Sequence, residues 1–133
     1  MVFGCRRSMS ASHRGEPRRP LRATLATFAG KWGGHDRGLV VSANGLGREG
    51  ANASCCDRVY KISFRIVSVR GTLTRATALY RVMSFTRYDK GQRELHIGEI
   101  GKLLLKNGIA KNSLTRDFFC SNLAWGATGA CGA

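Results

Sequence analysis

Acidic side chains are scarce in this sequence: 8 aspartates and glutamates stand against 22 lysines and arginines, for a formal net charge of +14. That sign favours polyanionic partners, such as nucleic acid, acidic cell-wall polymers or anionic lipid surfaces. Long apolar runs are also missing, and no stretch approaches the length of a membrane-spanning helix. A helical period of useful length is found nowhere, which sets α folds aside. Proline occurs twice, at Pro17 and Pro20, both close to the N-terminus. Spaced Cys-x-x-Cys knuckles, a phosphate-binding glycine loop in a strand-to-helix context and a serine-nucleophile constellation are all absent. Neither a metal nor any other cofactor is therefore expected.

What is present fits one small domain behind a tail. Residues 1–22 carry Arg6, Arg7, Arg14, Arg18 and Arg19 among serine and glycine without periodicity, and read as a disordered basic tail. Through Thr24 the chain holds six arginines against Glu16, a net of +5, which leaves +9 of the +14 for the domain over 23–133. Apolar content of 43% is ordinary for a globular chain with a modest core. Sixteen of the 22 basic residues are arginine in a chain rich in glycine and alanine, a bias that GC-rich codons also write. The sign of the charge is therefore more informative than its size.

From Ala23 onward, short apolar runs alternate with Gly and Asn punctuation. Phe28–Trp32 leads into a first strand, Gly38–Ala43 forms the next, and Asn44-Gly45 suits a type I′ hairpin before a short return over Leu46–Glu49. Val59–Arg70 is the strongest strand: Tyr60, Ile62, Phe64 and Ile66 share one face, Lys61, Ser63 and Arg65 the other. Ala76–Tyr88 continues with Ala76, Ala78, Tyr80 and Val82 on one face. A phase slip at Met83-Ser84 predicts a β-bulge that lets Phe85 point inward. Leu95–Ile97, Ile100–Lys106, Ile109–Lys111 and Phe118–Cys120 complete the series, with Asn107-Gly108 as a second hairpin signal. The fold expected is all-β, a small antiparallel β-barrel or sandwich of about eight short strands.

The 5 cysteines divide into Cys5 in the tail and Cys55, Cys56, Cys120 and Cys131 in the domain. An even count in a small domain reads as two disulfides and an oxidising compartment. Reduced buried thiols and a metal site are the alternatives; adjacent cysteines with a remote pair are poor zinc geometry. A bridge between neighbours closes a strained ring, so at least one of Cys55 and Cys56 is expected to reach Cys120 or Cys131.

Gly30-Lys31-Trp32, a strand, Asn44-Gly45 and a short return strand resemble the opening of lipocalin-like and avidin-like barrels, which begin with G-x-W and proceed by up-and-down hairpins. Their pocket residues do not map onto this chain, so the resemblance implies topology and no ligand. Otherwise Trp32 is simply a plug for one end of the core. A broader resemblance is to uncharacterised small exported actinobacterial proteins. The matching residues are Gly30, Trp32, Asn44-Gly45, Ser54-Cys55-Cys56-Asp57, Phe119-Cys120 and Cys131-Gly132-Ala133, which span nearly the whole domain. That resemblance implies export and disulfides and supplies no activity. A complete signal peptide is not evident: Arg18-Arg19 with Leu21 resembles a twin-arginine start, but Arg22 and Lys31 interrupt it. Val2-Phe3-Gly4-Cys5 resembles the end of a lipoprotein signal, which makes Cys5 a candidate lipidation site with the true start upstream. The competing reading is a free cysteine in a tail.

Candidate acid–base groups are His35, His96, Glu49, Glu94 and Glu99, enough in principle for a small secreted ribonuclease with a carboxylate and an imidazole as base and acid. No spacing forces them together. Lys61, Arg65, Arg81 and Arg87, with Tyr88, are candidates for an anion-binding face or a nucleic-acid platform. Phe64, Tyr80 and Phe85 are more economically placed in the core. The expectation is a non-enzymatic exported or cell-envelope β domain that binds an anionic cell-wall polymer, a membrane surface or a protein partner. A nucleic-acid-binding β-barrel is the first alternative and the ribonuclease the second.

Overall fold

A computed structural model describes residues 21–53, 57–87, 93–121 and 131. Eight strands form one closed antiparallel barrel in simple sequence order. They are β1 (Gly30–Gly34), β2 (Arg37–Val41), β3 (Leu46–Ala53), β4 (Asp57–Gly71), β5 (Arg75–Arg87), β6 (Ile100–Lys106), β7 (Ile109–Asn112) and β8 (Phe118–Cys120). A single helical turn, α1 (Leu25–Phe28), precedes them. The long strands β4 and β5 form the widest ladder, and closure comes where β8 pairs with β1 through Gly33 and Cys120.

Alternation, interrupted at the bulges of the β4–β5 ladder, sends one set of side chains into the lumen. Tyr60, Ile62, Phe64 and Ile66 of β4 are buried, as are Ala76, Ala78, Tyr80 and Val82 of β5, while Lys61, Arg65 and Arg81 point to solvent. The rings of Phe64 and Tyr80 meet with centroids 4.3 Å apart and fill the middle of the barrel. Two glycines make that possible. A Cβ at Gly47 would lie 2.3 Å from the Phe64 ring, and one at Gly101 would lie 2.4 Å from the Tyr80 ring. Only a bare backbone lets each ring lie against its neighbouring strand.

The two ends of the barrel differ. At one end α1 folds beneath the strands, Phe28 is fully buried, and the Trp32 indole donates to the Phe28 carbonyl at 2.8 Å. Trp32 is thus a plug for this end of the core, buried beside Phe28 while Lys31 faces solvent. The opposite end is formed by the β1–β2 turn, the β5–β6 segment and the β7–β8 loop.

Several expectations need correction. Leu95–Ile97 is not a strand: Gly98 and Glu99 donate to the Val82 and His96 carbonyls, making a turn that carries the chain across to β6. Asn44-Gly45 is not a two-residue type I′ turn. Only Gly45 has positive φ, and Ser42–Gly45 is a four-residue loop closed by Gly45 N donating to the Ser42 carbonyl at 3.0 Å. Asn107-Gly108, by contrast, has positive φ at both residues. The bulge at Met83-Ser84 is present, since Ser63 faces Ser84 while Phe64 faces Val82, leaving Met83 unpaired. The expected tail over 1–22 falls outside the described residues up to residue 20; Arg22 already bridges to Thr72 beside the β4–β5 turn.

The disulfide expectation changes most. Cys120 joins Cys131, across a sequence separation of 11, so neither is open to Cys55 or Cys56. Cys55 and Cys56 themselves lie outside the described residues, as does Cys5. Spacing alone carried no information on which way Cys120 faces. In the fold, Cys120 ends the short closing strand and Cys131 returns beside the β1–β2 turn, its carbonyl accepting from His35 N at 2.9 Å. The bridge therefore backs the seam of the barrel. Cys131→Ser should cost about 3 kcal/mol of unfolding free energy under oxidising conditions, the loop-entropy value for a short closed loop, and almost nothing under reducing ones. Equal urea midpoints for variant and parent in oxidising buffer would contradict this.

Candidate functional site

Two features stand out, the charge of the outer wall and a polar network inside the carboxyl-rich end. Among the described side chains, the outward strand positions bear cations and no anions. Lys31 on β1, Arg48 on β3, Lys61, Arg65 and Arg70 on β4, Arg75 and Arg81 on β5, and Lys102, Lys106 and Lys111 on β6 and β7 are all exposed. The acidic residues of the described chain gather elsewhere. Asp36 lies in the β1–β2 turn, Asp57 opens β4, Glu94 and Glu99 lie between β5 and β6, Asp117 precedes β8, and Glu49 is inside the lumen.

Ion pairs follow that segregation. Those formed among the described residues are His35–Asp36 at 3.2 Å, Arg87–Glu94 at 3.7 Å and Arg93–Glu99 at 2.6 Å, all at the carboxyl-rich end. The Arg93 hydrogen bond holds the Glu99 carboxyl below its ordinary range. On the wall, Arg65 stands directly opposite Arg81 and Arg75 directly opposite Lys106. Like charges in direct cross-strand register repel. Of the candidate anion-binding residues, Lys61, Arg65 and Arg81 thus share the β4–β5 outer wall, whereas Arg87 belongs to the end with Glu94. Arg48, opposite Ser63 on the same wall, was not foreseen; its strand is broken by glycines that hide the alternation.

The interior network is built by residues far apart in sequence. Glu49, 2% exposed, is held on one oxygen by the Asn112 amide at 2.7 Å and on the other by Thr115 Oγ1 at 2.5 Å. Tyr60 Oη lies 2.6 Å from Glu49 Oε2 and 2.6 Å from Asp117 Oδ2. Tyr80 donates to Asn112 Oδ1 at 2.6 Å. A phenol has one hydrogen and cannot donate to two carboxylates at once. A protonated Glu49 resolves the count: it donates to Tyr60, which donates to Asp117. Burial, the largest influence, pushes the Glu49 carboxyl up from 4.5 to about 7, against the lowering effect of its hydrogen bonds. Burial likewise raises the Tyr60 and Tyr80 hydroxyls well above the ordinary phenol value.

Neither histidine joins this network. His35 is an exposed turn residue beside Asp36, and His96 lies in an exposed segment whose backbone N–H donates to Glu99 at 3.1 Å. No hydrogen bond or ion pair connects the two imidazoles among the described residues. No group of three or more His, Cys, Asp and Glu side chains is placed to hold a metal, and no helix is long and apolar enough to cross a membrane, again among the described residues. The aromatics that a base-stacking platform would need, Phe64 and Tyr80, are fully buried, and Tyr88 lies outside the described residues.

The network makes stability depend on pH. Unfolded, Glu49 releases its proton near 4.5; folded, it keeps the proton until about 7. The folded state therefore binds more protons across that window, and stability falls as pH rises through it. The separation corresponds to about 3 kcal/mol, fully expressed above pH 7 and absent below 4.5. Glu49→Gln should flatten the profile between those limits in urea melts run at a series of pH values. A variant retaining the parent slope would show that Glu49 is not the titrating group.

Comparison with protein-family models, with curated proteins and with solved structures finds no match for this chain.

Proposed function

We propose that the protein is a non-enzymatic, exported or cell-envelope β-barrel whose basic outer wall binds an anionic partner. One observation carries the reading: among the described residues, the outward strand positions bear lysine and arginine without a neutralising acid, to the point of placing Arg65 against Arg81. Such a pair is unfavourable in isolation and becomes favourable when an anion lies between the guanidinium groups. Export accords with the Cys120–Cys131 bridge, since disulfides persist in oxidising compartments.

The interior supports a binding role over a catalytic one. Its polar network is internally satisfied and sits among buried side chains, and both histidines lie outside it. Nucleic acid as partner draws support from the charge alone, since the described wall offers no stacking ring.

Soluble polyphosphate is a suitable probe because it carries dense negative charge and no bases. Binding by the native full chain should weaken steeply between low and high salt. The Arg65→Glu/Arg81→Glu double variant, altered only at exposed positions, should lose at least tenfold in affinity. Absent binding, binding indifferent to salt, or full affinity in the double variant would each overturn the proposal. Calorimetric titration reads all three.

A further inference from the structure

The neighbours of the Arg65–Arg81 pair narrow the kind of anionic partner. Leu46 of β3 stands directly opposite Arg65, and Ile100 of β6 directly opposite Arg81. Val67 and Met83 follow two residues after each arginine on the same outward face. These last two are the residues left unpaired at the two register shifts of the β4–β5 ladder: Ile66 faces Tyr80 while Ser68 faces Leu79, and Ser63 faces Ser84 while Phe64 faces Val82. Each bulge leaves one outward side chain, Val67 or Met83, without a cross-strand partner. The Arg65–Arg81 pair is thus flanked by Leu46 and Ile100 across the sheet and by Val67 and Met83 along the strands, with the Ser63–Ser84 pair beside Met83. Val67 is 51% exposed, Met83 46% and Ile100 47%.

A soluble polyanion has no use for those apolar flanks, and exposed apolar groups grouped around cations are unfavourable unless something covers them. A bilayer surface offers both chemistries at the right depth: phosphates for the arginines, and the acyl boundary beneath them for valine, methionine and isoleucine. Two other occupants fit worse. A second copy docking by the same face would set Arg65 and Arg81 against their own equivalents. The N-terminal segment carries Arg6, Arg7, Arg14, Arg18 and Arg19 and is of the same sign as the wall.

We infer that the outer face centred on Arg65 and Arg81, with Leu46, Val67, Met83 and Ile100 around them, docks the protein onto an anionic phospholipid surface. This rests on the anion-binding reading of the wall and specifies its partner. Bound this way, the barrel lies on its side with β4 and β5 toward the lipid and the carboxyl-rich end directed along the membrane plane.

Cosedimentation of the native full chain with vesicles tests it, using equal phosphatidylglycerol and phosphatidylcholine in one set and phosphatidylcholine alone in the other. Partition onto the anionic vesicles should exceed that onto neutral ones at least tenfold. Val67→Ser/Met83→Ser should lower anionic-vesicle partition at least fivefold while leaving polyphosphate affinity within twofold of the parent. Polyphosphate binding without vesicle binding would overturn this inference and leave the anion-binding proposal standing; loss of both in the native chain would remove both. Equal vesicle binding by the double variant, equal binding to neutral vesicles, or self-association abolished by Met83→Ser would each overturn the lipid assignment.

Discussion

A sheet of eight strands escapes the exposure of its edges only if the last strand finds the first, and here that meeting is narrow. β8 has three residues, and its one register pair with β1 is Gly33 opposite Cys120. Everything else that holds the seam is lateral. Arg37 donates to the Phe118 carbonyl at 2.6 Å with its guanidinium 4.7 Å from the centre of the Phe118 ring, tying β2 to β8. A Cβ at Gly34 would lie 2.4 Å from that guanidinium, so the glycine opens its path. The Cys120–Cys131 bridge and the His35 amide on the Cys131 carbonyl close the same corner. Open edges recruit other strands; once closed, the wall of the barrel presents side chains alone.

Closure also explains the charge pattern. The lumen accepts only what packs or is fully hydrogen-bonded, so its polar members, Glu49, Tyr60, Tyr80, Asn112, Thr115 and Asp117, form one connected network near the β7–β8 loop. A single proton on Glu49 lets the network satisfy itself, and it ties that loop to β3 and β4 just upstream of the seam. Of the other acids, Glu94 and Glu99 sit at the same end paired with Arg87 and Arg93, and Asp36 sits there beside His35. The cations of the wall are left without partners within the described chain, which makes the wall the part of the molecule that still has chemistry to satisfy.

Much of this was legible in the residues and some was not, for physical reasons. Period-2 alternation over Tyr60–Ile66 and Ala76–Val82 reports a half-buried strand directly, because burial selects every second side chain. The slip at Met83 was visible because a polar serine follows it. The matching bulge at Val67 was not, since Ile66-Val67 reads as one apolar run whichever way each residue points. One turn of helix over Leu25–Phe28 is too short to show a period. Glu49 stood out only as one of five candidate acid–base groups, and its burial was hidden because its inward neighbours, Gly47 and the small Ala51, carry little hydrophobic signal. Its partners Asn112 and Thr115 are 63 and 66 residues away. The Arg65–Arg81 pairing likewise needs the strand register, which two bulges shift. The cysteines show the same limit, as spacing states which loops could close and not which thiols face each other.

If the wall is the binding surface, the anion meets the β3–β6 face rather than either end of the barrel. Backbone amide shifts of the isotope-labelled full chain, followed through a titration with short polyphosphate, test this residue by residue. The predicted perturbations centre on Arg48, Arg65 and Arg81 and their strand neighbours and leave the 93–99 segment unmoved. Perturbations gathered at the barrel ends, or spread evenly over the surface, would contradict it.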